Sequence, residues 1–566
     1  MKYFLITLFA VFFFAGCDME KFDRPDNEAV EDTDAVEDAD VVDEDAADSD
    51  EINYEEMIDS IKVSWKQCSL YEGEMDGRAE CSTAEMPYLW AKPDERKFKT
   101  YAKRYSSGGK ITRQLWFLHG GPGASGVYDF PSWMEKFVNE DPELEVLTLD
   151  PRGVGYSGHL DCPDIAESTG MTDEEFAKCA DWLDETYGEE KVIYGATHAA
   201  IDTAAFITKS KREGSSVFVW GGSGGTFWAQ RMLQFFPDLV DGVIIEGIVP
   251  PNESMVHQDK YTELMGRKIF EMCGEDEFCL SKLPDPEKTY KELVTKLDNE
   301  HCSILGIKGE FLGQWLYNML FYFPTHDMIP GFIYRMDRCE AGDVNAIVQF
   351  YNTFFGGDGG NLGSFSTMLF FNELFGELWL NEDFPTPDDI ETYLDGIYED
   401  AYIATGFGYD RNRYYKLWHP YNDPNSGIWA ETGVPMLMLQ GKLDPSTPYD
   451  YAVLLKDHFK GEFQHFIEFP YAAHNVSTGT PTMKGYQEEH CGMSLWKAFM
   501  QDPKAELDTS CVEKTIPPDF EGENAYAEYY FGTKNYWDNE EPATLKNKIN
   551  PKMFLPKPIV PLMKKK

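Results

Sequence analysis

The sequence between residues 217 and 237 contains a serine in a setting that could make it a nucleophile. VFVWGGSGGTFWAQRMLQFFP joins an apolar run, the pattern Gly221-x-Ser223-x-Gly225 and an amphipathic segment. This order of strand, turn and helix is the one that a nucleophile elbow requires, because a sharp turn must expose the serine hydroxyl. A flexible glycine loop is the alternative, but the flanking strand and helix favour Ser223 as a nucleophile.

Such a serine needs a base and an acid, and in this type of elbow both follow the nucleophile in the order Ser, Asp, His. Asp444 follows an apolar strand in VPMLMLQGKLDPSTP, and His474 follows the next strand in FIEFPYAAHNV. We expect His474 to take the serine proton and Asp444 to fix the imidazole tautomer. His458, His465 and His490 lie nearby in the sequence and are rival bases, for which we expect structural roles.

The segment HGGPG, residues 119–123, follows another apolar strand and precedes the elbow. A tetrahedral intermediate needs backbone N–H donors for its oxyanion. We therefore expect Gly120 and Gly121 of this segment, together with Gly224 beside the nucleophile, to form an oxyanion hole. His119 precedes the nucleophile, so we expect it to hold the loop rather than to act as the base.

Short apolar runs bounded by Gly or Pro alternate with helical patterns on both sides of the elbow. This rhythm predicts an α/β fold with a mostly parallel sheet. The predicted buried strands are residues 115–118, 146–149, 217–220, 243–245, 436–439 and 463–469, and IKVSWKQCSL and KFKTYAKRY predict earlier edge strands. The rhythm is interrupted by aromatic, helical segments, which predict an inserted, largely helical cap or lid over residues 251–431.

Five segments in this order, HGGPG, DPRGVGYSG, GGSGGT, GKLDPSTP and AAHNV, resemble the proline iminopeptidase and tripeptidyl aminopeptidase family of α/β-hydrolases. The resemblance extends from about residue 65 to 537, and HGGPG is its most specific element. It implies an α/β-hydrolase fold and a serine exopeptidase that acts on free peptide N-termini, with no cofactor. Asp150 and Arg152 also match, and we expect them to pin a loop through a turn and an ion pair.

The resemblance also implies that carboxylates of the cap bind the amino terminus of the substrate. A Cys-x-Glu pattern in the family corresponds here to Phe371, Asn372 and Glu373, so the glutamate matches and the cysteine does not. Glu377, one helical turn further on, and Glu246, which follows a strand, are rival candidates. The alternative for each is an ordinary glutamate without a role in binding.

The N-terminal residues indicate export. MKYFLITLFAVFFFAGC has a basic start, an apolar run too short to span a bilayer comfortably, and small residues before Cys17. It resembles a bacterial lipoprotein signal, which implies lipidation of Cys17 and anchoring to a membrane of the cell envelope. Plain signal cleavage is the alternative, and the sequence leaves open which membrane holds the anchor.

Charge and cysteine content restrict the partners and the compartment. The net charge of −49 argues against a nucleic-acid partner, which would need a basic face. Ten cysteines besides Cys17 suggest disulfides in an exported chain, with Cys162–Cys179 and Cys491–Cys511 as candidate pairs of sequence neighbours. The cysteine and histidine spacings do not support a zinc site, and we expect no metal.

We divide the chain into a signal (1–17), an acidic tether (18–52), two parts of the hydrolase domain (53–250 and 432–515), the cap (251–431) and a C-terminal tail (516–566) that packs over the surface.

The leading hypothesis is a serine aminopeptidase of prolyl or tripeptidyl type. A carboxylesterase with the same triad is the first alternative, and a lipid-tethered binding protein without activity is the second. An epoxide hydrolase or dehalogenase would carry Asp in place of Ser223. Proline preference, the number of residues released and the oligomeric state remain open.

Overall fold

A nine-stranded sheet forms the centre of the described part of the chain. The structure is a computed structural model that describes residues 52–539, except 74–75, 93–94, 164, 166–170, 356–363, 404, 485–489 and 523. The predicted signal, Cys17 and the tether up to residue 51 lie outside the described residues. The strands are β1 (Lys66–Cys68), β2 (Ala79–Pro87), β3 (Lys97–Ser106), β4 (Arg113–Leu118), β5 (Leu144–Asp150), β6 (Ser216–Gly222), β7 (Gly242–Glu246), β8 (Met436–Gly441) and β9 (Gln464–Phe469).

The strand order is β1-β2-β3-β5-β4-β6-β7-β8-β9. In this order, the first four strands (β1, β2, β3 and β5) pair antiparallel, and all pairs from β5 onward, starting with β5–β4, are parallel. The predicted buried strands are confirmed except that β9, at the sheet edge, is mostly half-buried. Strand β2 was not predicted, because its residues alternate between buried and exposed without a continuous apolar run.

Side-chain alternation along the strands divides the apolar residues between the two faces of the sheet. In β4, Trp116 and Leu118 pack in one core, whereas Leu115 and Phe117 pack in the core on the opposite face. Helices α5 (Ala196–Ser210) and α6 (Gly224–Phe235) cover the first face, and α3 (Pro131–Glu140) and α19 (Cys491–Gln501) cover the second. The helices outside the insertion are α1 (Tyr54–Asp59), α2 (Gly126–Asp129), α3 (Pro131–Glu140), α4 (Asp173–Tyr187), α5 (Ala196–Ser210), α6 (Gly224–Phe235), α17 (Tyr449–Ala452), α18 (Leu454–His458), α19 (Cys491–Gln501) and α20 (Asn524–Phe531).

The chain between β7 and β8 is helical, which gives an α/β-hydrolase fold with a helical insertion. Its helices are α7 (Gln258–Glu275), α8 (Glu277–Lys282), α9 (Pro286–Asp298), α10 (Gly309–Leu320), α11 (Phe323–His326), α12 (Ile329–Arg338), α13 (Ala341–Phe354), α14 (Thr367–Glu377), α15 (Pro387–Tyr398) and α16 (Phe407–Tyr415). Short 3₁₀ helices cover Gly155–Ser157, Gly188–Tyr194, Met255–His257, Ser303–Leu305 and Val512–Lys514.

The prediction that the segment after residue 516 packs over the surface is wrong for residues 520–537. Phe520, Tyr530 and Trp537 are buried in the same core as α10, α12 and α13. Arg335 of α12 donates hydrogen bonds to the carbonyl oxygens of Tyr536 (2.6 Å) and Asp538 (2.7 Å). The aromatic residues of this segment therefore complete the core of the inserted helices.

Ten cysteines form disulfides, and both candidate pairs are present. The bonds are Cys68–Cys81, Cys162–Cys179, Cys273–Cys279, Cys302–Cys339 and Cys491–Cys511. Disulfides persist in oxidising compartments, so they are consistent with a location outside the cytoplasm.

Candidate active site

Ser223 occupies a sharp turn between β6 and α6. Its backbone has φ 55° and ψ −127°, a conformation that L residues rarely adopt. Its N–H donates to the carbonyl oxygen of Glu246 at the end of β7 (3.0 Å). A side chain at Gly225 would collide with the carbonyl oxygen of Leu118, so the glycine lets α6 start directly against β4. The turn thus has the geometry of a nucleophile elbow.

Asp444 and His474 are in direct contact at the carboxyl ends of β8 and β9. Nδ1 of His474 lies 2.8 Å from Oδ2 of Asp444. The other oxygen of Asp444 accepts hydrogen bonds from the N–H groups of Ser446 (2.8 Å) and Thr447 (3.0 Å), and the Thr447 hydroxyl donates to Oδ2 (2.6 Å). Burial raises the pKa of Asp444, but the charge of His474 and these hydrogen bonds outweigh it and lower the pKa overall.

The elbow and the His474 ring meet at the end of β7. Glu246 accepts the hydrogen bond from Ser223, and the next residue, Gly247, lies against the imidazole. A Cβ atom on Gly247 would be 2.9 Å from Cε1 of His474. Phe321 holds the other side of the ring in an edge contact with 5.0 Å between centroids. Nε2 of His474 is buried and has no hydrogen-bond partner within the described residues, Ser223 included, so no protein group occupies this nitrogen.

The HGGPG loop packs directly on the elbow. A Cβ atom on Gly120 would lie 2.7 Å from Cβ of Ser223 and 3.2 Å from the backbone nitrogen of Gly224. The corresponding atom on Gly224 would lie 3.3 Å from the nitrogen of Gly121. Only glycine allows this approach, which brings the backbone of all three predicted oxyanion-hole residues to one place.

A cavity lies between this loop, the elbow and α14. Its lining includes Gly120, Pro122, Gly123, Gly224, Phe227 and Glu373. Helix α14 is fixed there at its first turn, where the N–H of Ser366 donates to the carbonyl oxygen of Gly123 (2.9 Å) and its hydroxyl accepts from the N–H of Leu369 (3.1 Å). Because this hydrogen bond holds the first turn of α14 on the loop, Glu373, two turns along the helix, lies against the cavity beside the elbow.

Glu373 has an unusual electrostatic environment. Its side chain makes no hydrogen bond or ion pair with any residue of the described chain. Burial and repulsion from Glu377 hold its pKa well above the ordinary range, while Arg231 acts in the opposite direction. The residue as a whole is partly accessible although its carboxyl group is deeply placed, as expected for a group that lines a narrow cavity.

The structure does not bring the other two predicted amine-binding glutamates to this cavity. Glu377 forms a buried salt bridge with Arg231 (2.7 Å) and accepts hydrogen bonds from the Tyr421 hydroxyl (2.7 Å) and the N–H of Ala196 (3.1 Å). Glu246 accepts hydrogen bonds from the hydroxyl (2.8 Å) and N–H of Ser477. Both carboxylates therefore stabilise the protein itself.

The matched turn after β5 is also structural, with one correction. Arg152 pairs with Asp202 (2.8 Å) rather than with Asp150, as its side chain extends toward α5. Asp150 accepts hydrogen bonds from the Ser125 hydroxyl (2.6 Å) and the N–H of Tyr156 (2.9 Å), and burial raises its pKa to about 6.

The remaining histidines lie away from Asp444 in the hydrogen-bond network. His119 contacts Asp129 (3.2 Å) and stacks on Phe130, as expected for a residue that holds the loop. Nε2 of His458 lies 2.8 Å from the Ala430 carbonyl oxygen, and Nδ1 of His490 accepts from the N–H of Thr480 (3.1 Å). His465 lies in β9 at the sheet edge.

Three residues around the site were not predicted from the sequence, namely Thr447, Phe321 and Arg231. Thr447 carries a usable signal, because Asp followed by Ser or Thr in a proline-bearing loop favours local hydrogen bonds to the carboxylate. Phe321 and Arg231 carry none, since they reach the site only through the packing of α10 and α6. Among the described residues there is no group of three acidic, histidine or cysteine side chains arranged to hold a metal ion. In the same residues no helix is long and apolar enough to cross a membrane.

Comparison with known proteins supports the fold. The family described as alpha/beta hydrolase fold matches residues 115–197, the stretch from β4 to the start of α5. No curated protein shows significant sequence similarity to the chain.

Similar solved structures include acetyl xylan esterase 1 from Thermoanaerobacterium sp. JW/SL YS485, with 12% identity, 80% of this chain and 92% of that chain covered, and a TM-score of 0.31. A thermostable carboxyl esterase from Bacillus coagulans has 14% identity, coverage of 70% and 92%, and a TM-score of 0.27. An epoxide hydrolase from Vigna radiata has 14% identity, coverage of 67% and 88%, and a TM-score of 0.26. Similarity at this level carries no information about the substrate.

Proposed function

We propose that the protein is a serine aminopeptidase, which hydrolyses peptide bonds near a free amino terminus through an acyl-enzyme. Ser223 is the nucleophile, His474 the general base and acid, and Asp444 the residue that orients the imidazole. The N–H groups of Gly120, Gly121 and Gly224 would stabilise the oxyanion, and Glu373 would bind the substrate ammonium group.

The proposed reaction uses the free nitrogen of the His474 ring. Nε2 takes the proton of the Ser223 hydroxyl as its oxygen attacks the scissile carbonyl carbon. The tetrahedral intermediate collapses when His474 returns this proton to the leaving amine, which releases the C-terminal product. A water molecule then attacks the acyl carbon as it gives a proton to His474. The second tetrahedral intermediate collapses when the bond to the Ser223 oxygen breaks and His474 returns the proton to that oxygen, which liberates the N-terminal product. Asp444 stays ionised throughout, in keeping with its lowered pKa.

The observation that carries the choice of peptide N-termini is the unpaired carboxyl group of Glu373 in the cavity. A buried carboxylate without a partner is unfavourable, and a substrate ammonium group would supply the missing positive charge. Arg231 is paired with both Glu377 and Asp423, so with Glu373 this region has three acidic side chains and one basic side chain among these four residues. The local charge therefore favours a cationic group over the neutral acyl chain of a simple ester.

The test is hydrolysis by the purified full-length protein of Pro-, Ala- and Ala-Ala-Pro-4-nitroanilides, each with a free and an acetylated amino terminus. We expect cleavage of the free-amine substrates only, loss of that activity in Ser223→Ala, and full activity in Ser281→Ala, an exposed serine of α8. Equal hydrolysis of acetylated substrates, or activity on esters alone, would instead indicate a carboxylesterase. The free-amine series also shows whether one residue or three are released.

We further propose that the enzyme is held at an extracytoplasmic membrane surface by a lipid on Cys17. The lipoprotein-type signal and the disulfides support this location. Release of the protein from membranes by Cys17→Ser, compared with the parent chain in fractionated cells, tests the anchor. An unchanged membrane fraction would contradict it.

A further inference from the structure

Arg411 of α16 is buried without an acidic partner. It is 2% exposed, and its described hydrogen bonding is limited to one bond from Nη1 to the side-chain oxygen of Gln258. Its Nε is buried without a partner, and no carboxylate of the described residues forms a salt bridge with it. Three other buried arginines have ion pairs, namely Arg152 with Asp202, Arg231 with Glu377 and Arg335 with Asp343.

The two carboxylates near Arg411 accept hydrogen bonds from groups other than Arg411. Asp259 contributes favourable charge at longer range, but its oxygens accept hydrogen bonds from the Tyr398 hydroxyl (2.9 Å), the N–H of Gly408 (2.8 Å) and Thr405. Asp410 accepts from Arg413 (3.1 Å). Burial consequently lowers the pKa of Arg411, the direction expected for a guanidinium group whose charge is poorly compensated.

Arg411 is joined to the proposed catalytic residues by packing on two sides. Gln258, which accepts its hydrogen bond, donates to the Ser446 hydroxyl (3.0 Å), and the N–H of Ser446 binds Asp444. The guanidinium group also lies over the ring of Phe370, 5.6 Å from its centroid.

Phe370 connects Arg411 to the oxyanion side of the site. Its backbone nitrogen would lie 3.2 Å from a Cβ atom on Gly123 of the HGGPG loop. Phe370 is also one helical turn before Glu373 on α14, so both side chains lie on the same side of that helix. The unpaired guanidinium group therefore contacts Gln258 on the Asp444 side and Phe370 of α14, the helix that also carries the unpaired carboxyl group of Glu373.

We propose that Arg411 is an anion subsite that binds a carboxylate of the substrate. The inference rests on the proposed function and extends it, because a site with one unpaired acid and one unpaired base suits a short peptide that carries both charges. The carboxylate is either the C-terminal group of a short peptide or the side chain of an acidic residue close to the scissile bond. A guanidinium group binds either by paired N–H donors.

The test compares kcat/KM for Ala-Ala-Ala with its C-terminal amide, and for Ala-Glu-amide with Ala-Gln-amide. We expect the full-length enzyme to prefer the charged member of at least one pair by roughly 10- to 100-fold, and the pair that responds identifies the source of the carboxylate. In Arg411→Gln the preference should fall to about one, mainly through KM. Arg411→Lys should keep part of it, and Arg413→Gln, on the same helix but half-exposed and paired with Asp173, should keep all of it.

If the peptides are cleaved, the absence of any preference in the parent enzyme, or its persistence in Arg411→Gln, would overturn the proposal. Titration calorimetry with succinate gives a readout that requires no turnover. Binding to the parent protein and to Arg411→Lys, but not to Arg411→Gln, supports the subsite even if no peptide is cleaved, a result that would refute the aminopeptidase proposal alone. If no peptide is cleaved, the absence of succinate binding to the parent protein would refute the subsite itself.

Discussion

Buried charged groups at the carboxyl end of the sheet have partners in the described part of the chain, whereas two such groups in the inserted helices have no ion partner there. At the sheet, Asp444 is satisfied by His474, Thr447 and Ser446. In the insertion, Glu373 and Arg411 have no ion partner among the described residues.

Under the proposed function, this difference separates the residues that carry out the reaction from the residues that bind the substrate. Groups that must hold one geometry through the reaction are fixed by hydrogen bonds from the protein, so their positions do not depend on a ligand. Groups that bind an ion must keep their hydrogen-bonding capacity free, and they remain unfavourable until the substrate arrives. Helix α14 carries both kinds side by side, because Glu377 is paired with Arg231 whereas Glu373, one turn earlier, faces the cavity.

The largest expected effect comes from removing the charge of Asp444, whose carboxylate is fully hydrogen-bonded by residues at the end of the sheet. Asp444→Asn would leave His474 in place but favour the wrong tautomer, so we expect kcat to fall about 10⁴-fold with little change in KM. Steady-state kinetics on a free-amine anilide measure this loss. Asp457→Asn, an exposed carboxylate of α18, is the control and should retain full activity. A loss below tenfold would mean that Asp444 does not orient the base.

A smaller effect is expected when the paired glutamate of α14 is neutralised. Glu377→Gln leaves Arg231 with Asp423 as its ion partner, so we expect the free energy of unfolding to fall by roughly 3 kcal/mol. Glu373→Gln, on the same helix, removes an unpaired carboxyl group and should cause no loss. Calorimetric melting of both variants measures the difference. Equal destabilisation would show that Glu373 also serves the fold.

The smallest effect concerns pH. Because burial and Glu377 raise the native pKa of Glu373, its protonation favours the folded state at low pH, and this contribution is lost as the pH rises from 4.5 through the raised value. The melting temperature of the parent protein relative to Glu373→Gln should therefore decrease over that interval. Calorimetry of both proteins at several pH values measures the trend. A difference that does not vary with pH would contradict a raised pKa.

The sheet and the residues at its carboxyl ends could be predicted because their signals are local. Apolar runs bounded by glycine or proline mark β4 to β8, and the glycines around Ser223 and in HGGPG reflect backbone contacts too close for a side chain. Strand β2 alternates between buried and exposed residues, so it gave no continuous signal.

The insertion could not be predicted to the same depth. Whether a glutamate of α14 faces a cavity or an arginine depends on how α14 packs against α6, which no local pattern encodes. The same holds for Arg411, whose pairing depends on helices distant in sequence, and for residues 520–537, whose aromatic rings are buried by α10, α12 and α13.

The most direct test of the account is the ratio of kcat/KM for a free-amine substrate to that for its acetylated form, measured in the parent enzyme and in Glu373→Gln. We predict a ratio of roughly 100 or more in the parent enzyme, the value of a buried charge pair, and a ratio near one in the variant, with the fold intact. A parent enzyme indifferent to acetylation, or a variant that keeps the full ratio, would contradict the assignment of Glu373 to the amino terminus of the substrate.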